Sequence, residues 1–173
     1  AELAISTAIP EVAREGFLLL GMRRSPANNT KVSRDTSASL DTLKPSVNRS
    51  IMAFDAKAHH SDITITRVDL FFDSPVWLYL DKIAIRFGGR TIAEKEINQD
   101  SFTRIGTEHI YQLRLEGFSA VIKEDRTDVF TVRVDANEFA PGPLPRNITV
   151  FLENNSIRGI DEAGIYQLAP VSG

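Results

Sequence analysis

The chain has 173 residues, 42% of them hydrophobic and ten of them Phe, which suits one domain with a core of its own. Its 20 basic and 23 acidic residues leave a net charge of −3, so no basic excess favours nucleic acid or an anionic membrane surface. The absence of cysteine excludes disulfides and thiolate metal sites, and the densest apolar patch, residues 17–20, falls far short of the ~20 residues that cross a bilayer.

Residues 2–9 alternate, with Leu3, Ile5, Thr7 and Ile9 on one side, until Pro10 ends the run. Residues 16–22, GFLLLGM, are short, apolar on all sides and bounded by glycines, which predicts a buried strand. Residues 23–50 are rich in Ser, Thr, Asn and Pro and read as a long loop or extended arm.

From residue 51 strand signals follow one another. IMAFDAKA (51–58) places Met52, Phe54, Ala56 and Ala58 on a buried face, and the polar turn His59-His60-Ser61-Asp62 leads to ITITRVDLFFD (63–73). After Ser74-Pro75, residues 76–87 are predicted as one strand in which Ile83, Ile85 and Phe87 oppose Lys82, Ala84 and Arg86. Gly88-Gly89 suits a tight turn with positive φ, so 76–87 and 90–97 form a predicted hairpin. HIYQLRLEGF (109–118) alternates again. The clearest signal is 118–135: an apolar run, a charged turn at 123–128, and then Phe130, Val132 and Val134 against Thr131, Arg133 and Asp135. Pro141, Pro143 and Pro145 exclude a regular strand there; 147–154 and 165–170 close the set.

Nine or ten short strands with almost no helical periodicity predict an all-β, antiparallel sandwich of Ig-like or jelly-roll type. The expected division is an N-terminal strand and extended arm at 1–46 and a β-sandwich domain at 47–173.

Two stretches, Ala53-Phe54-Asp55-Ala56-Lys57-Ala58 before Asp62-Ile63-Thr64-Ile65-Thr66, and the closing Thr127-Asp128-Val129-Phe130-Thr131-Val132-Arg133-Val134-Asp135-Ala136, carry a resemblance. Over roughly residues 47–170 the layout resembles the Ig-like β-sandwich module of prokaryotic cell-surface and surface-layer proteins. This chain departs from it in having few glycines, more charge, a single module and an arm at 1–46 with no counterpart. The family carries no catalytic residues. The resemblance therefore implies a non-enzymatic, extracellular structural role.

Candidate chemistry is sparse. His59 and His60 are neighbours that project oppositely on a strand, His109 stands far off, and no HExxH spacing exists, so a polar turn explains the pair and no metal or other cofactor is expected. No GxSxG elbow accompanies the three His, and carboxylate pairs are always available among 23 acids. Charged turns account for Asp161-Glu162 and Asp125–Asp128 better than Ca²⁺ ligation. No catalytic residue is assigned. Trp77 and Tyr79, two apart on the predicted strand, present a possible sugar-stacking pair. Four sequons, at Asn28, Asn48, Asn147 and Asn154, exceed the roughly one expected by chance and mark possible glycosylation.

The leading expectation is a structural subunit of an extracellular assembly, a pilus-like filament or surface layer, whose partners are copies of itself. Leu3, Ile5 and Ile9 would anchor a strand donated to a neighbour's sheet. Neither nucleic acid binding nor membrane insertion is expected. A virion decoration or adaptor protein, bound to other surface or capsid proteins, is the first alternative. A carbohydrate-binding module using Trp77 and Tyr79 is the second.

Overall fold

The computed structural model describes residues 2–4, 21–23, 35–39, 46–136 and 147–169. Thirteen strands among these residues form two sheets, and every ladder is antiparallel. The protein is an all-β sandwich.

The first sheet joins β1 (Glu2–Ala4), β2 (Gly21–Arg23), β4 (Ser46–His59), β10 (Thr127–Ala136), β6 (Leu80–Phe87) and β7 (Arg90–Glu96). β10 lies at its centre between β4 and β6, while β1 and β2 share the far edge of β4. The second sheet is built around β5 (Ile63–Phe72). One edge of β5 pairs with β9 (Ile110–Ile122), which in turn pairs with β8 (Phe102–Ile105). The other edge is shared by two strand pairs: β12 (Ile157–Asp161) with β13 (Tyr166–Ala169), and β11 (Asn147–Phe151) with β3 (Asp35–Ser39).

The inward faces follow from alternation. Met52, Phe54, Ala56 and Ala58 of β4 are buried, as are Phe130, Val132 and Val134 of β10 and Ile83 and Ile85 of β6. Register sets these residues opposite one another: Phe130 faces Phe54 on one side and Phe87 on the other, and Val132 faces Ile85. The Phe54 and Phe130 rings stack at 5.1 Å, and Phe87 approaches Phe130 at 4.8 Å. Cross-strand aromatic pairs of this kind add stability beyond the area they bury. Residues from both sheets then merge into one hydrophobic cluster.

The β6–β7 hairpin closes through Gly88 and Gly89 at φ +58° and +78°. Both central residues of a type I′ turn need positive φ, which glycine adopts without strain.

Four features differ from the sequence reading. The polar segment 23–50 contains β3 and the start of β4. DTSAS carries little apolar signal, but it lies at a sheet edge and pairs with β11 through its main chain. The predicted strand at 76–87 begins only at Leu80, because Pro75 is followed by a 3-10 turn at Val76–Leu78. Residues 118–122 continue β9, with Gly117 at φ +83°. β8 and β12 were not anticipated: TRI and RGI are too short and too polar to stand out.

Among the described glycines, Gly159 is the one with no room for a Cβ. A Cβ there would lie 2.5 Å from Cγ2 of the buried Ile63 and 3.3 Å from Cδ1 of Ile65. We expect Gly159→Ala to lower stability by about 1–3 kcal/mol through overpacking. Combined with Ile63→Ala, it should cost less than the sum of the two changes, which a urea-denaturation double-mutant cycle reads directly.

Candidate functional site

Three places gather the predicted residues or the unusual chemistry: the outer edge of β4, an aromatic cavity at one end of the second sheet, and that sheet's solvent face.

At the edge of β4, Glu2, Leu3 and Ala4 pair with His59, Ala58 and Lys57, and Gly21, Met22 and Arg23 pair with Asp55, Phe54 and Ala53. Two three-residue segments thus cover an edge that β4 would otherwise present bare. Leu3 stands in register with Ala58, which is buried. Ile5 and Ile9, the other two predicted anchors, lie outside the described residues, as does Asn28.

The sugar-stacking pair is not realised as predicted. Tyr79 is 4% exposed, belongs to the core and donates its backbone N–H to the Val76 carbonyl. The 3-10 turn abolishes the alternation that set Trp77 and Tyr79 on one face. Trp77 instead meets Phe102 at 5.2 Å and Tyr111 edge-on at 5.0 Å, and Phe102 contacts the buried Phe72 at 5.9 Å. These rings run from the core to an open-sided cavity of about 420 Å³, lined by Trp77, Gln99, Asp100, Phe102, Arg104 and Tyr111. Gln99 and Asp100 ride on a short 3-10 turn at Gln99–Ser101. Asn98 caps it by accepting from Asp100 N–H at 2.9 Å and Ser101 N–H at 3.2 Å, while Ser101 Oγ accepts from Asn98 N–H. Such a reciprocal cap fixes the turn's orientation.

On the solvent face of the second sheet, Asp69 is buried although it points away from the core residues Val68 and Leu70. Arg114, directly opposite on β9, donates from Nε and Nη2 to its two carboxylate oxygens at 2.9 and 3.0 Å. Arg67 stands 3.6 Å away on the other side and also donates to the Asn155 carbonyl. The hydrogen bond to Asp69 raises the pKa of Arg114 further above its ordinary value. Bidentate pairing of this kind fixes register and satisfies a carboxylate removed from water. Farther along, the Arg158 guanidinium lies 5.2 Å over the Tyr166 ring. A charged residue within the apolar run VDLFF was the one sequence signal for this cluster.

The remaining candidates sit in turns and strand ends. His59 ends β4 with Nδ1 3.4 Å from Asp125, and His60 adopts φ +67° in the following turn. In that turn Asp62 accepts from Lys123 Nζ at 2.6 Å and Glu124 N–H at 2.8 Å. These bonds hold its carboxyl below the usual carboxylate range, the Lys123 contact acting most strongly. Asp161 organises the β12–β13 turn, accepting from Ile165 N–H and Ala163 N–H at 2.9 Å each and from Gln167 at 3.2 Å. Its carboxyl is likewise lowered, chiefly by Ile165 N–H. Among the sequons, Asn48 is exposed at a left-handed position of β4 (φ +57°), Asn154 is exposed in the turn before β12, and Asn147 opens β11.

Comparison with protein-family models, curated proteins and solved structures found no match to this chain.

Two outcomes are expected. Asp69→Asn should lower stability by about 2 kcal/mol in chemical denaturation, since it weakens a charge pair whose arginine is half exposed. Asp62 and Asp161, with lowered folded pKa values, contribute stability that is complete above the unfolded-state value of about 4 and lost as pH falls through the folded values. Unfolding free energy measured against pH should therefore fall on the acid side. The fall should be shallower in Asp62→Asn.

Proposed function

We propose that this chain is a non-catalytic structural module of an extracellular assembly, a pilus-like filament or surface layer, in which an N-terminal strand completes the sheet of a neighbouring copy. The observation that carries this reading is the pairing at the β4 edge. Among the described residues, β1 and β2 each pair with that edge over three residues.

A hydrogen bond contributes a net of about 0.5–1.5 kcal/mol, and the described pairs of β1 and β2 are few beside the long pairing of β4 with β10. A strand from another copy can make the same main-chain bonds in the same register. Exchange therefore changes little in energy per copy, and connector geometry and concentration decide between the two arrangements. An edge covered by exchange also links subunits head to tail into an open polymer.

The resemblance of residues 47–170 to surface-protein modules supports an extracellular location. The balanced charge supports partners that are proteins, first of all other copies of this chain.

The test is negative-stain electron microscopy of the intact chain beside a version lacking residues 1–22 and an Ile5→Asp variant. Filaments or sheets are expected from the intact chain alone, with all three showing the same far-ultraviolet circular dichroism. Polymers from Ile5→Asp, or monodisperse particles from every form, would overturn strand donation.

A further inference from the structure

We propose that the cavity at Trp77 is a binding site for a neutral saccharide. Three aromatic rings line it: Trp77 meets Phe102 at 5.2 Å, tilted, and Tyr111 edge-on at 5.0 Å. Phe102 is braced from below by Phe72, which is completely buried. The rings are therefore held by packing against the core. A ring that is already fixed loses little entropy when a ligand stacks on it.

The rim supplies complementary polar chemistry. Asp100 offers a carboxylate that only accepts, Arg104 a guanidinium that only donates, and Gln99 an amide that does both. Sugar hydroxyls both donate and accept, and the C–H faces of a pyranose ring are apolar. An aromatic lining with a mixed rim matches both properties. The single positive and single negative charge of the rim cancel, which favours an uncharged ligand over a phosphate or a uronic acid.

Asp100 and Gln99 stand on the capped turn, so their backbone positions are set before any ligand arrives. Among the described residues the Asp100 carboxylate has no hydrogen-bond or ion-pair partner of its own, whereas Asp62, Asp69 and Asp161 are all committed to structural bonds. The guanidinium of Arg104 is steadied by the Thr107 carbonyl at 3.4 Å. A volume of about 420 Å³ lies within the range typical of small-ligand sites, and the open side lets a chain of sugars continue past the seated unit.

Trp77 is the only tryptophan of the chain, so its emission reports on this cavity alone. The full chain would be titrated with cellohexaose, chitohexaose, xylohexaose, mannohexaose and maltohexaose while Trp77 fluorescence is followed, with adenosine as a non-sugar stacking control. At least one hexasaccharide should shift the emission saturably. Asp100→Ala should weaken that binding by about tenfold or more with an unchanged thermal midpoint, because the side chain is exposed. No shift with any of the five sugars overturns the proposal. So does a shift that is unaltered in both Asp100→Ala and Gln99→Ala, or one that adenosine reproduces. Assembly through residues 1–22 is read separately by microscopy, so either idea can fail without the other.

Discussion

The second sheet depends on two irregularities that fall at the same level of adjacent strands. On β5 the inward residues are Ile63 and Ile65, then Val68, Leu70 and Phe72; on β9 they are Leu113 and Leu115, then Ala120 and Ile122. Each strand changes phase once. The changes coincide where Ile65 pairs with Ala120 and Arg67 with Glu116, with Thr66 extra on one side and residues 117–119 on the other. A one-residue slip would carry every later side chain to the opposite face. Had only one strand slipped, half of this ladder would set apolar residues against polar ones. Gly117, at φ +83°, lets β9 make the turn.

Three ladders attach to β5, so its phase governs the sheet. β12 absorbs the same extra residue by a shift between Arg158 and Gly159. That brings Gly159 against Ile63 and Ile65 at a spacing that admits no Cβ. The phase change also turns Asp69 outward, between Arg67 and Arg114, where the carboxylate locks β5 to β9 from the solvent side. The facing sheet needs no such change on β10: Phe130, Val132 and Val134 keep one phase throughout. The rings of Phe54, Phe130 and Phe87 form a cross-strand row on the inward face of that sheet.

A core organised this way leaves function to edges and ends. Among the described residues, the β4 edge is covered by the two shortest ladders of its sheet, and the strand exchange proposed above would take place there. The aromatic cavity forms where β8, the start of β9 and two 3-10 turns meet, a region fixed by Phe72 from the core and by the Asn98 cap from the surface. The cavity combines a rigid support with side chains open to solvent, whereas the β4 edge is already occupied by β1 and β2.

Alternation alone identified the inward residues of β4, β6 and β10 and the Gly88-Gly89 hairpin, because period two and positive φ are local properties. It also set Leu113 and Leu115 on one face of β9, opposite Gln112 and Arg114, and the structure buries both leucines. It did not reveal that 118–122 belong to the same strand, since a bulge interrupts the period it reads. Nor could it see β3, whose pairing rests on main-chain bonds that carry no side-chain signature. Trp77 was legible as a candidate, but its partners were not. Phe102, Tyr111, Asp100 and Arg104 reach it only because the β8–β9 hairpin docks against the 3-10 turn at Val76–Leu78, from which β6 and β7 separate it in the chain. The sequence by itself determined which face of most strands is dry, a choice made residue by residue through the hydrophobic effect. The tertiary structure alone decided which strands are neighbours and which side chains share a cavity, because those follow from register and bulges summed over the whole sheet.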